Sequence, residues 1–306
     1  MTLALLCPGQ GGQHPGMFAR LEQVPAASAL MHHGSALLGE DVLALSGDAR
    51  RFDNAIAQPL VCLATVAHWL ALKDAIPAPA LVLGYSVGEL AAHAIAGSFS
   101  AEDCLRLAAE RAGFMDASSP ADAGLMAVVG LPAQAVVALA AQHAVVPAIF
   151  NAQDHVVLGG ARQALGALRE ALEAQGARVV TLPVAVPSHT HWLQPAAQSF
   201  AQVLQALPPQ RPALRVLAGI DAQPVLSGAE AARTLAAQLA QPLQWQQVMQ
   251  QAVERGARVF LELGPGAALS KMAREIDPSC QARSVEDFRT LDGVAEWVST
   301  ALARAG

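Results

Sequence analysis

The chain has 306 residues, 53% apolar and 14% charged, which provides for a large core and excludes a disordered segment. A net charge of −6 without any Lys/Arg run speaks against nucleic acid or an anionic membrane surface as a partner. Four scattered cysteines (Cys7, Cys62, Cys104 and Cys280) read as reduced core thiols of a cytoplasmic protein.

The N-terminus lacks the positive first region of a signal peptide and reads as a strand, Leu3–Cys7, entering the loop Pro8-Gly9-Gln10-Gly11-Gly12-Gln13. His14 and His32-His33 read as members of polar loops. Ala55–Leu72 reads as a long buried helix, and its most apolar part, Leu60–Leu72, carries His68, ends near Lys73 and falls short of a membrane span. Ala80–Leu83 is a strand, and Glu89–Ala94 begins a helix on which His93 packs or caps. Ala101–Met115 is a further helix, with Glu102 and Asp103 in its first turn and Arg106 and Arg111 later, as the helix dipole favours.

Between that strand and helix lies Gly84-Tyr85-Ser86-Val87-Gly88. A serine between two glycines at a strand-to-helix turn is a nucleophile elbow: the glycines allow the tight turn, and the hydroxyl is pushed out of the backbone. The helix that follows aims unpaired N–H groups at negative charge developing near the serine. This arrangement suits acyl transfer through an acyl-serine. The plainer alternative is a tight turn with a capping serine.

The next segment alternates differently. Leu125–Val129, Val145–Phe150, His155–Leu158 and Arg178–Leu182 read as strands, with an Asn151–Asp154 turn between the second and third. Pro132–Gln142, with proline at its first position, and Arg162–Ala174, closed by Gly176, read as helices. The order is that of a split βαβ, ferredoxin-like unit. Ala196–Leu207, Leu214–Leu217, Ala229–Leu239, Gln246–Arg255, Val259–Leu263 and helices from Ala267 and near Val294 return to the first rhythm. The expected fold is therefore α/β. A hydrolase-like domain with a mainly parallel sheet (residues 1–121 and 187–306) carries an inserted βαββαβ domain (residues 122–186).

A serine nucleophile needs a base. His189, in Pro187-Ser188-His189, lies where the inserted segment rejoins the main one and so faces a cleft; the alternative is a structural histidine. His189-x-His191 lacks a third ligand at usable spacing, so no metal site is expected.

In chain order, several motifs resemble the malonyl-CoA:acyl-carrier-protein transacylase family: Pro8–Gln13, Gly84–Glu89, Arg111, Asn151 with Val156-Val157-Leu158-Gly159-Gly160, and Pro187–His189. Gln238 with Pro242-Leu243-Gln244-Trp245 and Glu262-Leu263-Gly264-Pro265-Gly266 complete the set. The resemblance implies Ser86 as nucleophile and His189 as base, with the imidazole oriented by the Gln238 carbonyl rather than by an acid. It implies an oxyanion hole from the N–H groups of Val87 and Gln10, and Arg111 holding the free carboxylate of a malonyl group. Asn151 and Tyr85 join Arg111 and Gln238 as substrate-binding positions. No cofactor is bound; malonyl-CoA is the substrate, and the acceptor is a phosphopantetheine-type thiol arm on an acyl carrier protein.

Tyr85 stands where the family usually has His. That variant and the tail Ala282–Val294 look more like the malonate decarboxylase epsilon subunit, which implies that complex's own carrier and other subunits as partners. A malonyltransferase of fatty acid or polyketide synthesis differs only in the carrier. An α/β-hydrolase-type esterase predicts an acid paired with His189; Asp154 is the only carboxylate close to His155, and nothing obvious stands before His189. A non-enzymatic docking subunit predicts a dispensable Ser86.

Overall fold

A computed structural model describes residues 2–184 and 186–305; Met1, Ala185 and Gly306, inside the expected domain limits, lie outside the described residues. Leu3 to Cys7 form an unbroken buried run, the signature of a strand covered on both faces, and make up most of β1 (Thr2–Cys7). Helices α1 (Pro25–Leu38), α2 (Val42–Gly47) and α3 (Asn54–Leu72) follow, then β2 (Leu81–Gly84), α4 (Gly88–Ile95) and α5 (Ala101–Ser118). The Ser100 hydroxyl caps α5 by accepting from the Asp103 N–H at 3.0 Å.

The middle of the chain supplies β3 (Ala123–Val129), α6 (Ala133–Ala141), β4 (Val146–Ala152), β5 (His155–Ala161), α7 (Arg162–Glu173) and β6 (Arg178–Thr181). The last stretch supplies α8 (Gln194–Ala206), β7 (Arg215–Leu217), α9 (Gly228–Ala237) and α10 (Trp245–Glu254). It closes with β8 (Ala257–Glu262), α11 (Ala268–Ile276), β9 (Gln281–Ser284) and α12 (Leu291–Ala305).

One sheet has the order β7-β2-β1-β8-β9 and every pairing in it is parallel. This is the expected α/β architecture. In such a sheet, ligands bind beyond the carboxyl ends of the strands. Three loops converge there: the one after β1, the elbow after β2, and Leu263–Gly266 after β8. The Tyr85 N–H meets the Cys7 carbonyl at 2.9 Å, and the Leu263 N–H meets that of Leu6 at 3.0 Å.

The second sheet is antiparallel, with the order β4-β5-β3-β6. Along β3 the side chains alternate: Met126 and Val128 enter the core under α6 and α7, while Leu125 and Ala127 pack toward the parallel sheet. The two sheets meet beside the elbow, where Phe150 and Leu243 exchange main-chain hydrogen bonds with the neighbouring strand and loop.

Several local expectations change. His32 and His33 lie on α1, whose hydrophobic residues Ala27, Leu30 and Met31 turn inward while the two imidazoles face outward; the short charged-free stretch read as a loop. Pro132 is the residue before α6 rather than its first residue. Strand β4 runs through Asn151 to Ala152, because pairing with His155 extends it into the expected turn. Helix α3 is 19 residues long, which by length and composition is enough to cross a bilayer, so the shorter apolar run understated it. Its residues Ala57 to His68 are all buried within the protein, as in a core helix.

Candidate active site

The elbow is enforced by close approach. A Cβ on Gly84 would lie 2.2 Å from the Glu89 Cα, and one on Gly88 would lie 2.1 Å from the Cys7 carbonyl oxygen. Only glycine fits at either place. Ser86 between them is held at φ 55°, left-handed backbone that an L-residue adopts at a cost.

His189 is also held at positive φ, 64°. Its Nε2 is 2.8 Å from the Ser86 Oγ, and its Nδ1–H donates to the Gln238 carbonyl at 2.7 Å. Its own main-chain N–H donates to the Leu239 carbonyl at 2.9 Å. Helix α9 therefore ends with its last carbonyls capped by one histidine, and the negative end of its dipole faces the imidazole. Burial and the nearby Arg111 charge push the imidazole down to about 3, against the pull of the Gln238 carbonyl, so the ring is neutral at physiological pH.

The main-chain acceptor on His189 differs from the carboxylate an esterase would need; Asp154 occupies the β4–β5 turn. His191 stacks on Trp192 at 4.3 Å between ring centroids. His93 is buried against the Ser98 hydroxyl at 3.0 Å, the packing role expected of it.

Val87 opens α4 and Gln10 sits in the loop beside it, and neither N–H has a main-chain acceptor among the described residues. That loop is pinned. Gln13 accepts from the Gly11 N–H at 2.5 Å and donates to the Arg51 carbonyl at 2.9 Å, and His14 meets the Glu286 carboxylate at 2.5 Å.

Arg111 projects from α5 and is 1% exposed. Its guanidinium donates to the Gln58 Oε1 at 2.6 Å and the Gln238 Oε1 at 3.1 Å. No carboxylate lies within 4.0 Å of it among the described residues. Burial pulls it down to about 10, still a cation at neutral pH. A buried cation that lacks a paired anion is an anion receptor. Gln238 thus serves two groups, orienting His189 with its main chain and Arg111 with its side chain.

Tyr85 packs edge-on against Trp245 at 5.2 Å, and its hydroxyl donates to the Asn151 Oδ1 at 3.1 Å, tying the elbow to β4. Burial raises the phenol well above its usual range. Asn151 in turn lies 3.3 Å from the His155 Nε2.

Two residues were not singled out from the sequence. Gln58 was hidden inside an apolar helix, where a lone buried amide was the available signal. Glu89 stood within the elbow motif, but nothing local gave it a task.

This fold, with a serine and a histidine meeting above the carboxyl ends of a parallel sheet, is that of an acyltransferase. The acyl transferase domain model matches residues 4–290, and the chain belongs to that family. It is 36% identical to the malonyl CoA-acyl carrier protein transacylase of Mycobacterium bovis, over 96% of this chain and 99% of that protein. Its structure matches that of an acyl-carrier-protein S-malonyltransferase from Burkholderia pseudomallei with a TM-score of 0.91 at 30% identity, covering 97% of this chain and 100% of that one. It also matches a malonyl-transacylase solved in complex with a type II polyketide acyl-carrier protein (TM-score 0.92, 29% identity, 97% and 99% covered).

Proposed function

We propose that the protein moves a malonyl group from malonyl-CoA to the phosphopantetheine-type thiol arm of an acyl carrier protein, through a malonyl ester on Ser86. The observation that carries this reading is Arg111, buried beside the Ser86–His189 pair with no carboxylate in direct contact among the described residues. The relatives named above act in the same sense.

In the first half-reaction the Ser86 hydroxyl gives its proton to the His189 Nε2 and its oxygen attacks the thioester carbonyl. The resulting oxyanion accepts from the Val87 and Gln10 N–H groups, each such donor contributing roughly 3–4 kcal/mol. The imidazolium, held by the Gln238 carbonyl, then protonates the departing CoA sulfur. The carrier thiol repeats the sequence in reverse, giving a ping-pong cycle with no metal or cofactor step.

The Arg111 guanidinium takes the malonyl carboxylate through paired, charge-assisted hydrogen bonds. An acetyl group offers no carboxylate to it.

For the carrier, we favour that of a malonate decarboxylase, on the strength of Tyr85 beside the nucleophile and the tail Ala282–Val294. A fatty-acid or polyketide carrier is the second reading, and the names of the relatives fit it equally well. Four free, buried cysteines suit a cytoplasmic location. The test is to malonylate the enzyme, remove free CoA, and offer each holo carrier in turn. Faster discharge by the decarboxylase carrier supports the favoured reading, and preference for a fatty-acid or polyketide carrier replaces it with the second. Malonyl release to water alone would contradict both.

A further inference from the structure

Glu89 is a second buried charge in the same cluster, and the mechanism above does not use it. It lies in the first turn of α4, three residues after Ser86, and is 0% exposed. Its Oε2 accepts from the Gly219 N–H at 3.1 Å and from the Gln238 side-chain amide. A Cβ on Gly219 would sit 2.8 Å from that oxygen, so a glycine is what admits the carboxyl here. Its Oε1 is buried with no hydrogen-bond partner among the described residues. Such an oxygen is costly as half of an anion and calls for an explanation.

The charged groups acting on Glu89 are Arg111 from α5, which favours its ionised form, and Asp221 from the loop after β7, which opposes it. His189 is linked to it through Gln238, and His93, on the same helix, is a neutral imidazole held at about 4 by burial. Arg111 and Glu89 thus grip the two ends of one amide, Arg111 giving to its oxygen and Glu89 taking from its nitrogen.

We infer that Glu89 balances the charge of Arg111 until an acyl group binds, and takes a proton onto Oε1 when a carboxylate-bearing acyl group engages Arg111. The proton comes from hydronium or a buffer acid in bulk solvent, whose bond to it breaks, leaving the conjugate base in solution, as O–H forms at Oε1. Two carboxylates sharing one guanidinium in a dry site, one in direct contact and Glu89 through the Gln238 amide, cannot both stay ionised, so the incoming one drives the resident one neutral. Oε2 remains an acceptor in either state. The Gln238 amide therefore keeps its oxygen toward Arg111 and its main-chain carbonyl on His189. Burial already raises the Glu89 carboxyl to about 7, so little further push is needed at neutral pH.

The inference rests on the malonyl reading and makes selectivity depend on pH. Above the free-state value, binding a carboxylated acyl group requires proton uptake, whereas acetyl binding does not. The experiment is the ratio of kcat/KM for malonyl-CoA to that for acetyl-CoA, measured between about pH 6.5 and pH 9. The CoA phosphates and His189 are common to both substrates and cancel. In the wild type the ratio falls above neutrality with a slope approaching about tenfold per pH unit. Glu89→Gln keeps an oxygen for Gly219 and Gln238 and has no proton to gain, so its ratio is flat. A residue with only a structural role would leave the slope alone.

A flat wild-type ratio overturns the inference without recourse to the variant, and a slope unchanged in Glu89→Gln overturns it by placing the titration elsewhere. Intact-mass detection of malonyl-enzyme in the same samples separates the two levels. Adduct with a flat ratio sinks the proton uptake alone, and absence of adduct sinks the malonyl reading along with it.

Discussion

Ser86 and His189, 103 positions apart in sequence, are both held at positive φ and meet at 2.8 Å. Each strained backbone is over-determined by its surroundings. Ser86 is wedged between glycines that admit no side chain, and His189 is tied through ring and main chain to the end of α9. Strain of this kind, about 1–3 kcal/mol per residue, persists where the rest of the fold imposes it and the site gains a fixed geometry.

Arg111→Ala should separate substrates. Losing paired, charge-assisted hydrogen bonds to a carboxylate lowers kcat/KM for malonyl transfer by about 10²–10³-fold. Acetyl transfer has no such bonds to lose, and removing a cation that depresses His189 raises the basicity of its Nε2, so it is retained or raised. Steady-state kinetics with the two CoA esters checks this; equal losses would remove the carboxylate role.

Gly88→Ala and Gly113→Ala should move stability in opposite directions. The first forces a methyl to 2.1 Å from the Cys7 carbonyl and 2.5 Å from that of Pro8, both backbone atoms, and costs more than about 3 kcal/mol. The second sits in α5 with nothing within 4 Å and gains about 0.5–1 kcal/mol from helix propensity. Thermal unfolding of the two variants reads the signs directly.

His68 should make the protein acid-sensitive. It is buried, donates from Nδ1 to the Ala64 carbonyl at 2.8 Å, and has an unpartnered Nε2; burial holds it at about 4. The folded state keeps it neutral while the unfolded chain protonates it below its ordinary value of 6.5, so this group's contribution falls as pH drops from 6.5 toward 4. The slope is about 1.4 kcal/mol per pH unit. Denaturant unfolding near pH 7 and pH 5 should show a loss smaller by about 2 kcal/mol in His68→Leu than in the wild type. Equal losses would contradict the assignment.

Chemistry written in contiguous residues was legible in the sequence. Gly84–Gly88 carries its own backbone requirement, and the strand-helix-strand-strand-helix-strand order of the middle segment marked out the antiparallel sheet. The surroundings of Arg111 were not legible, because they combine Gln58 from α3 and Gln238 from the end of α9, which only the tertiary fold brings together. The orphan oxygen of Glu89 is likewise invisible until Gly219 and Gln238 are placed. Helices α1 and α2 escaped notice for another reason. Helix α1 has no side-chain cap and its histidines and glycine resemble loop residues, while α2, though capped by Asp41, is only six residues long, so packing against α3 rather than local propensity defines them.

The intact mass of the protein after brief exposure to malonyl-CoA tests the central claim most directly. The account predicts a gain of about 86 Da, mapped by peptide sequencing to Ser86, absent in Ser86→Ala and lost on adding a holo carrier. A gain that persists in Ser86→Ala, or maps to another residue, would contradict it.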